Sequence, residues 1–253
     1  MHLYDLLADI SSITFPRGTA FSPLTLKMDS TYDYYSLSKL DADPDDLFSQ
    51  TASLLTSVRD KMETEDPHDA EQAVYEEYTI ATMASMIFGS NFIESSGSTK
   101  DISEKVCQSV FAGFTVDPEL PSIAPDYRET RDFLREHKRP ADQDAIMRAR
   151  VEIIDHAKAW TYLLSALLKG PLTEEHLLTT HRILCASLPL EDGTPYAGIY
   201  RTVPVCAGFT SFAPASSVPG LMRTLVSDYN LAIHRATERG SLDPFTLAAE
   251  FAH

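Results

Sequence analysis

The acidic residue Glu94 stands at the end of a predicted helix, four residues after Ser90, in the segment SNFIESSG (90–97). The carbonyl groups at a helix C-terminus carry partial negative charge, so a carboxylate there costs roughly 0.3 to 1 kcal/mol. A guanidinium group opposite the carboxylate would offset this cost through a charge-assisted, bidentate pair. Glu94 is therefore either the partner of an arginine or an exposed side chain in a frayed last turn.

The helix that presents Glu94 is predicted over residues 71–94, and Gly97 is its plausible end signal. Apolar and small residues recur there three and four positions apart, as in an amphipathic helix. One row contains Val74, Tyr78, Ala81 and Ser85, and a second contains Ile80, Met83 and Ile87.

Proline punctuates the next part of the chain, because residues 117–126 contain three prolines and are predicted to interrupt regular structure. A long helix then follows from about Ala145 to Gly170-Pro171, with Thr173 as the N-cap of the next helix. His181 on that second helix has no other ligand at metal-binding spacing, which favours a satisfied core histidine over a metal ligand.

Two further helices are predicted near the end of the chain. The first begins at Ser216 or Ser217 and ends near Gly240. The second has Asp243 as its N-cap and Pro244 in its first turn.

Residues 198–214, GIYRTVPVCAGFTSFAP, have the β-branched and aromatic content of a hairpin around Ala207-Gly208. Pro204 has no amide hydrogen and so favours an edge strand, whose free backbone groups could pair with an extended chain of a partner. The alternative is a short hairpin that binds nothing.

Composition excludes several classes of protein. The 253 residues carry a net charge of −16, and residues 1–77 contain 16 acids against 5 bases, which disfavours binding to nucleic acid or anionic lipid. The acidic clusters at 41–46 and 63–66 favour a solvated loop face over a partner surface. No apolar run approaches the roughly 20 residues of a membrane span, and no signal peptide is visible, so we expect a cytoplasmic or nuclear protein. The three cysteines are expected to be reduced core thiols, without a disulfide framework or zinc site.

The run SNFIES (90–95) resembles the inhibitory motif of Fic (Fido) proteins, which has Ser or Thr, three residues, and then Glu followed by Gly or Asn. Ser95 departs from this pattern, since it stands where the family has Gly or Asn. Further segments resemble the family in their order and approximate spacing. They are EIIDHAKAW (152–160), LTEEHLLTTHRIL (172–184), GIYR (198–201) with VPV (203–205), and DPFTLAAEFAH (243–253).

This resemblance implies transfer of AMP from ATP, with Mg²⁺, to a hydroxyl side chain of a target protein, or the reverse removal of AMP. In the family, a His-Pro-Phe motif opens a loop that runs through Gly-Asn-Gly-Arg, and this loop supplies the general base and the phosphate cradle. Neither motif occurs in the 253 residues. We therefore expect the chain to stop short of that loop, to contain no catalytic residue and no metal ligand, and to be inactive alone. His253 is not the catalytic base.

The resemblance also implies a role for the helix end. Glu94 would pair with the last arginine of the missing loop, so that ATP binds in a pose unsuited to in-line attack. Ser90 would help to fix the end of the helix.

In the family, the hairpin is a flap that clamps the target segment by strand addition. Arg201 could equally be a structural ion-pair partner. The residues expected to position the target are Tyr200, Arg201, Val203, Val205 and Phe212.

The expected fold is mainly α, a Fic-type helical bundle with one β-hairpin and an incomplete C-terminus. A homo-oligomer is compatible with this reading. The alternative function is a non-catalytic Fic-like protein that binds partners through the flap and the acidic N-terminal region. Phosphate transfer, as in the Doc branch, fits less well, because that branch lacks an inhibitory helix in the same chain. The expected segments are an acidic N-terminal region (1–70), an inhibitory-type helix (71–97), a helical linker region (98–171) and a partial Fido domain (172–253).

Overall fold

The structure is a computed structural model, which describes residues 25–26, 46, 49–51, 53–54, 57, 69–188, 190 and 193–252. The acidic N-terminal region, with its clusters at 41–46 and 63–66, therefore lies almost wholly outside the described residues. The chain divides into two compact units. One contains Ala73–Pro219, and the other contains Gly220–His253 together with described residues that precede Ala73.

Helices form most of the described structure, which confirms the prediction of a mainly α fold. The predicted helix at 71–94 is present and ends at Ile93. The helices are α1 (Asp69–Ile93), α2 (Lys100–Phe111), α3 (Pro125–Glu136), α4 (Gln143–Lys169), α5 (Glu174–Leu184), α6 (Val218–Arg239) and α7 (Pro244–Ala252).

The described strands contain two residues each and form two separate pairs. β2 and β3 pair in antiparallel fashion, as expected of a hairpin, whereas the sequence did not predict the parallel pairing of β1 with β4. The strands are β1 (Thr25–Leu26), β2 (Cys206–Ala207), β3 (Thr210–Ser211) and β4 (Ser241–Leu242).

Helix α4 is the central element of the first unit, because it contacts α2, α3 and α5. Asp142 caps its start by accepting a hydrogen bond from the Ala145 amide at 2.9 Å. Its side chains Ile146 and Ile153 are completely buried. The helix ends at Lys169, so the predicted stop at Gly170-Pro171 is confirmed.

The sequence predicted a helical linker region at 98–171, but it did not predict the bounds of α2 and α3 within that region. Thr99 caps α2 by accepting a hydrogen bond from the Ile102 amide at 3.2 Å. The segment 117–126 was expected to lack regular structure throughout, but Pro125 and Asp126 begin α3. A proline is compatible with the first helical position, because the amide hydrogen that it lacks has no partner within the helix there.

The second unit contains most of α6 and all of α7. A 3₁₀ turn at Ala215–Ser217 precedes α6, and Gly240 with φ +69° follows it, as the sequence predicted. Asp243 caps α7, because one of its carboxylate oxygens accepts the Phe245 and Thr246 amides at 2.9 and 3.1 Å. Ala236, Leu242 and Leu247 pack together as a small apolar core.

The three cysteines occupy different environments. Burial, with a smaller effect from Glu104, raises the pKa of Cys107 to about 12, so this thiol is an inert part of the core. Cys185 is half-buried, and Cys206 lies exposed on β2. The expectation of three core thiols is therefore wrong for Cys206. None of the helices in the described residues is long and apolar enough to cross a bilayer.

Candidate functional site

The end of α1 is a closed, hydrogen-bonded turn. The Ser95 amide donates to the Phe92 carbonyl at 3.1 Å, and the Ser96 amide donates to the Asn91 carbonyl at 2.8 Å. This pair of bonds is the Schellman pattern, in which the residue in the left-handed conformation follows the C-cap. Ser95 has φ +54°, so Glu94 is the C-cap residue.

Ser95 adopts an unusual backbone conformation for a residue with a Cβ. Its φ of +54° lies in the left-handed region, which Gly and Asn adopt more readily than other residues. The position after the glutamate therefore needs the conformation that Gly or Asn favours. Ser95 adopts that conformation despite its Cβ.

Glu94 itself is exposed, and its carboxylate makes no ion pair or hydrogen bond to another described residue. Its amide donates to the Ser90 carbonyl at 3.2 Å, which continues the helical pattern. Ser90 is also exposed, so it contributes to the helix end through its backbone. The carboxylate is thus available to a cation at the negative end of a helix.

Side chains from other elements hold the residues that follow Glu94. The Gly97 amide donates to Glu152 Oε2 at 2.8 Å, and Arg139 Nη1 donates to the Gly97 carbonyl at 3.2 Å. Arg148 Nε also donates to Glu152 Oε1 at 3.3 Å. Both polar backbone groups of Gly97 are therefore bound by charged side chains.

A hydrogen bond between Asn91, which is buried, and His156, which is half-buried, attaches the last turn of α1 to α4. Asn91 is 7% exposed, and its Oδ1 lies 2.9 Å from His156 Nδ1. The pKa of His156 is lowered by burial, which favours the neutral imidazole. The neutral ring donates through Nδ1 to the amide oxygen. Breaking this bond would leave buried polar groups without partners.

Two hydroxyl contacts complete the attachment. Ser98 and Thr130 are both almost fully buried, and their hydroxyl oxygens lie 2.8 Å apart. The Thr99 hydroxyl donates to Glu129 Oε1 at 2.6 Å. The chain from Glu94 to Thr99 is therefore a fixed turn between α1 and α2, and it is not frayed.

The start of the hairpin (198–214) rests on α5. Gly198 has φ +72°, and a Cβ at this position would lie 2.9 Å from the Leu178 carbonyl oxygen and 2.7 Å from Arg182 Cβ. Its amide donates to His181 Nδ1 at 3.1 Å. His181 also makes an edge contact with the ring of Tyr196, at 5.9 Å between centroids. The prediction that His181 is a satisfied histidine is confirmed, although its side chain is only half-buried.

Two of the predicted flap residues have structural contacts. The Tyr200 hydroxyl donates to Glu174 Oε1 at 3.0 Å, which ties the hairpin to the first turn of α5. Arg201 donates from Nη1 to the Val203 carbonyl at 2.9 Å and from Nη2 to the Ala213 carbonyl. Arg201 therefore joins the two arms of the hairpin through backbone carbonyls, without an ion pair among the described residues.

The other predicted flap residues are exposed to solvent. Val203, Val205 and Phe212 are all exposed, and the Phe212 amide donates to the Val205 carbonyl at 3.1 Å. Phe209, at the tip, is fully exposed, and sequence analysis missed it. The sequence could have indicated Phe209, because it directly follows Gly208 in the predicted turn. A glycine at the first position of a two-residue turn is typical of type II′ hairpins, and Gly208 has φ +58°.

The hairpin has open edges. β2 and β3 form a sheet of two strands, so neither outer edge is paired with another described strand. Exposed apolar side chains beside free backbone groups can receive an extended chain by strand addition.

The described residues include no group of three or more His, Cys, Asp or Glu side chains that could hold a metal ion. Comparisons of the chain with protein-family models, with curated proteins and with solved structures found no match.

Proposed function

We propose that this chain is a Fic-like protein that carries two regulatory parts of an AMP-transferring enzyme, an inhibitory helix ending at Glu94 and a flap that positions the target. The observation that carries the proposal is the environment of Glu94. Its backbone belongs to a fixed turn, whereas its carboxylate is exposed and unpaired among the described residues. A frayed helix end would not require the buried contacts that hold the residues on either side of this carboxylate.

The inhibitory role follows from electrostatics. Glu94 is the C-cap residue, where the helix dipole makes a carboxylate unfavourable by roughly 0.3 to 1 kcal/mol. Pairing with a guanidinium offsets this cost, and the same guanidinium then cannot hold the terminal phosphate of ATP. Inhibition therefore needs only a carboxylate in a fixed place.

The hairpin supports the second part of the proposal. Gly198 and Tyr200 attach its start to α5, and Arg201 joins its arms. Because its edges are unpaired by other described strands, a target segment can add there as a further strand. Val203, Val205 and Phe212 then contact the target. Its hydroxyl side chain loses its proton to the general base of the loop and accepts AMP from ATP, and pyrophosphate is released as the bond between the α- and β-phosphates breaks.

ATP and Mg²⁺ would be held by a loop containing His-Pro-Phe and Gly-Asn-Gly-Arg, which the 253 residues do not include. That loop supplies the phosphate cradle and the general base. The residues of this chain supply inhibition and target positioning, and they perform no chemical step.

The alternative is a non-catalytic interaction protein. The exposed apolar side chains of Val203, Phe209 and Phe212 favour it, because they suit binding regardless of any reaction. The absence of both catalytic motifs from the 253 residues also fits this alternative.

Sequencing the transcript through and beyond the codon for His253 distinguishes the two functions. The enzyme proposal predicts His-Pro-Phe followed by Gly-Asn-Gly-Arg within a few codons. A reading frame that continues or stops without these motifs would refute it and would leave the interaction protein.

Purified residues 1–253 provide a second test. They should transfer no labelled AMP from ATP to themselves or to a cell lysate. A labelled band that depends on ATP and Mg²⁺ would contradict the assignment of catalysis to the missing loop.

In a form with the catalytic motifs, Val203→Pro and Phe212→Ala should reduce modification of the target more than modification of the protein itself. Val203→Pro removes a backbone donor three residues before β2, and Phe212→Ala removes an exposed apolar contact. Equal loss of both activities would indicate a folding defect instead of a docking role.

A further inference from the structure

We propose that Glu152 and Arg139 are positioning residues for inhibition. They form hydrogen bonds with the amide and the carbonyl of Gly97 and thereby fix the location of the Glu94 carboxylate. This inference rests on the proposed function. It names the residues that regulate the same site, and they act on the nucleotide only through Glu94.

The two hydrogen bonds to Gly97 come from different parts of the first unit. Glu152 lies on α4 and accepts the Gly97 amide at 2.8 Å. Arg139 lies between α3 and α4 and donates to the Gly97 carbonyl at 3.2 Å. Glu152 Oε2 and Arg139 Nη2 are 4.0 Å apart, so the two charged side chains also form an ion pair.

Burial makes the hydrogen bonds of Glu152 and Arg139 with Gly97 stronger than hydrogen bonds at the surface. The side chain of Glu152 is 12% exposed and that of Arg139 is 20% exposed, whereas Arg148, the other partner of Glu152, is 62% exposed. A largely desolvated carboxylate that accepts several donors has a fixed orientation, and an amide bound to it is held firmly.

Gly97 is suited to this position by shape. Its φ is +70°, and a Cβ there would lie 3.1 Å from Asn91 Cβ. Gly97 is therefore packed against the last turn of α1 on one side and bound by Glu152 and Arg139 on the other.

A shift of Gly97 is transmitted to Glu94. Only Ser95 and Ser96 separate the two residues, and both have amides bonded to carbonyls of α1. The segment is a closed turn, so it moves as one piece. The hydrogen bonds from Glu152 and Arg139 to Gly97 therefore contribute to holding the backbone of Glu94 in place.

The first test uses residues 1–253 and amide hydrogen exchange at Gly97. Glu152→Ala removes the acceptor, and exchange should become about tenfold faster or more, as expected for loss of a hydrogen bond to a charged group. Arg148→Ala is the matched control, because it removes an exposed neighbour of Glu152 and leaves the bond to Gly97. Unchanged exchange in Glu152→Ala, or equal acceleration in both variants, would overturn the inference.

Glu152→Gln guards against a folding failure in the alanine variant. It preserves the volume and one acceptor oxygen, but removes the charge. Exchange at Gly97 should then accelerate less than in Glu152→Ala, with thermal unfolding showing that the variant is folded. Exchange as slow as in the unchanged protein would contradict a role for the charge.

The second test applies to a longer form of the protein, should its transcript encode the catalytic motifs, and measures self-labelling with AMP. Glu152→Ala should raise labelling, whereas a residue that only stabilises the fold would lower it. Glu152→Ala should add nothing to Glu94→Gly, because the two substitutions release the same contact.

These outcomes separate the two proposals. Labelling that Glu94→Gly leaves unchanged would overturn the proposed function itself. Labelling raised by Glu94→Gly but not by Glu152→Ala, or additive effects of the two, would overturn the positioning role alone.

Discussion

Substitution of Gly198 by alanine tests how the hairpin is attached to α5. Gly198 has φ +72°, and an added Cβ would lie 2.9 Å from the Leu178 carbonyl oxygen. This oxygen belongs to the backbone of α5, so it cannot move aside as a flexible side chain can. The substitution must therefore displace the start of the hairpin and break the Gly198 amide bond to His181.

The magnitude follows from three separate effects. A left-handed alanine costs roughly 1 to 2 kcal/mol relative to glycine, overpacking costs about 1 to 3 kcal/mol, and a lost hydrogen bond costs about 1 kcal/mol. We expect Gly198→Ala to reduce the free energy of unfolding by about 3 to 6 kcal/mol. Gly208→Ala is the matched control, because Gly208 has φ +58° but no atom within 4 Å of the added Cβ. It should lose only about 1 to 2 kcal/mol.

Urea unfolding followed by fluorescence measures this difference. Trp160 is the only tryptophan of the chain and lies on α4, which packs against α5. The midpoint for Gly198→Ala should lie clearly below that for Gly208→Ala. Equal midpoints would refute the close approach of Gly198 to α5.

Further predictions concern the helix end and the hairpin. Ser95→Gly should stabilise the first unit by about 1 kcal/mol in thermal unfolding, since glycine adopts positive φ without strain; destabilisation would contradict the left-handed conformation. Burial lowers the pKa of His156, so stability should be full above pH 6.5 and decline as the pH falls below it towards the folded value. His156→Asn should flatten that decline, and an unchanged profile would exclude His156 as its source. Arg201→Ala should speed proteolysis within the hairpin relative to Arg182→Ala, and equal rates would rule out the link between its arms.

Local signals predicted much of the fold. Thr173 and Asp243 marked helix starts because their side chains accept backbone amides there, and Gly170 and Gly240 marked helix ends. The hairpin followed from its composition and from Gly208.

Other elements were harder to predict. The apolar residues of helix α3, Tyr127, Phe133 and Leu134, share one face, but they are few among its twelve residues, and only Thr130 and Leu134 are buried. Its start also coincides with a proline-rich segment. The parallel pairing of β1 with β4 joins Thr25 to Ser241, and nothing in either dipeptide identifies a partner so distant in the sequence.

The candidate site also contains residues that the sequence identifies and residues that it does not. Glu94 was identifiable because a carboxylate at a helix C-terminus opposes the dipole. Its supporting residues were not, because Glu152 and Arg139 lie 55 and 42 residues from Gly97, and only the fold brings them together. Arg201 illustrates the limit at short range, since its sequence is compatible with an ion-pair role but its partners among the described residues are backbone carbonyls.

The central claim is that Glu94 restrains AMP transfer by occupying an arginine, and one measurement tests it most directly. Self-labelling with AMP from ATP should be compared for the unchanged protein and for Glu94→Gly, both in a longer form of the chain, should its transcript encode the catalytic motifs. Removal of the carboxylate should raise labelling. Equal labelling at matched folded concentration would contradict the inhibitory role of Glu94.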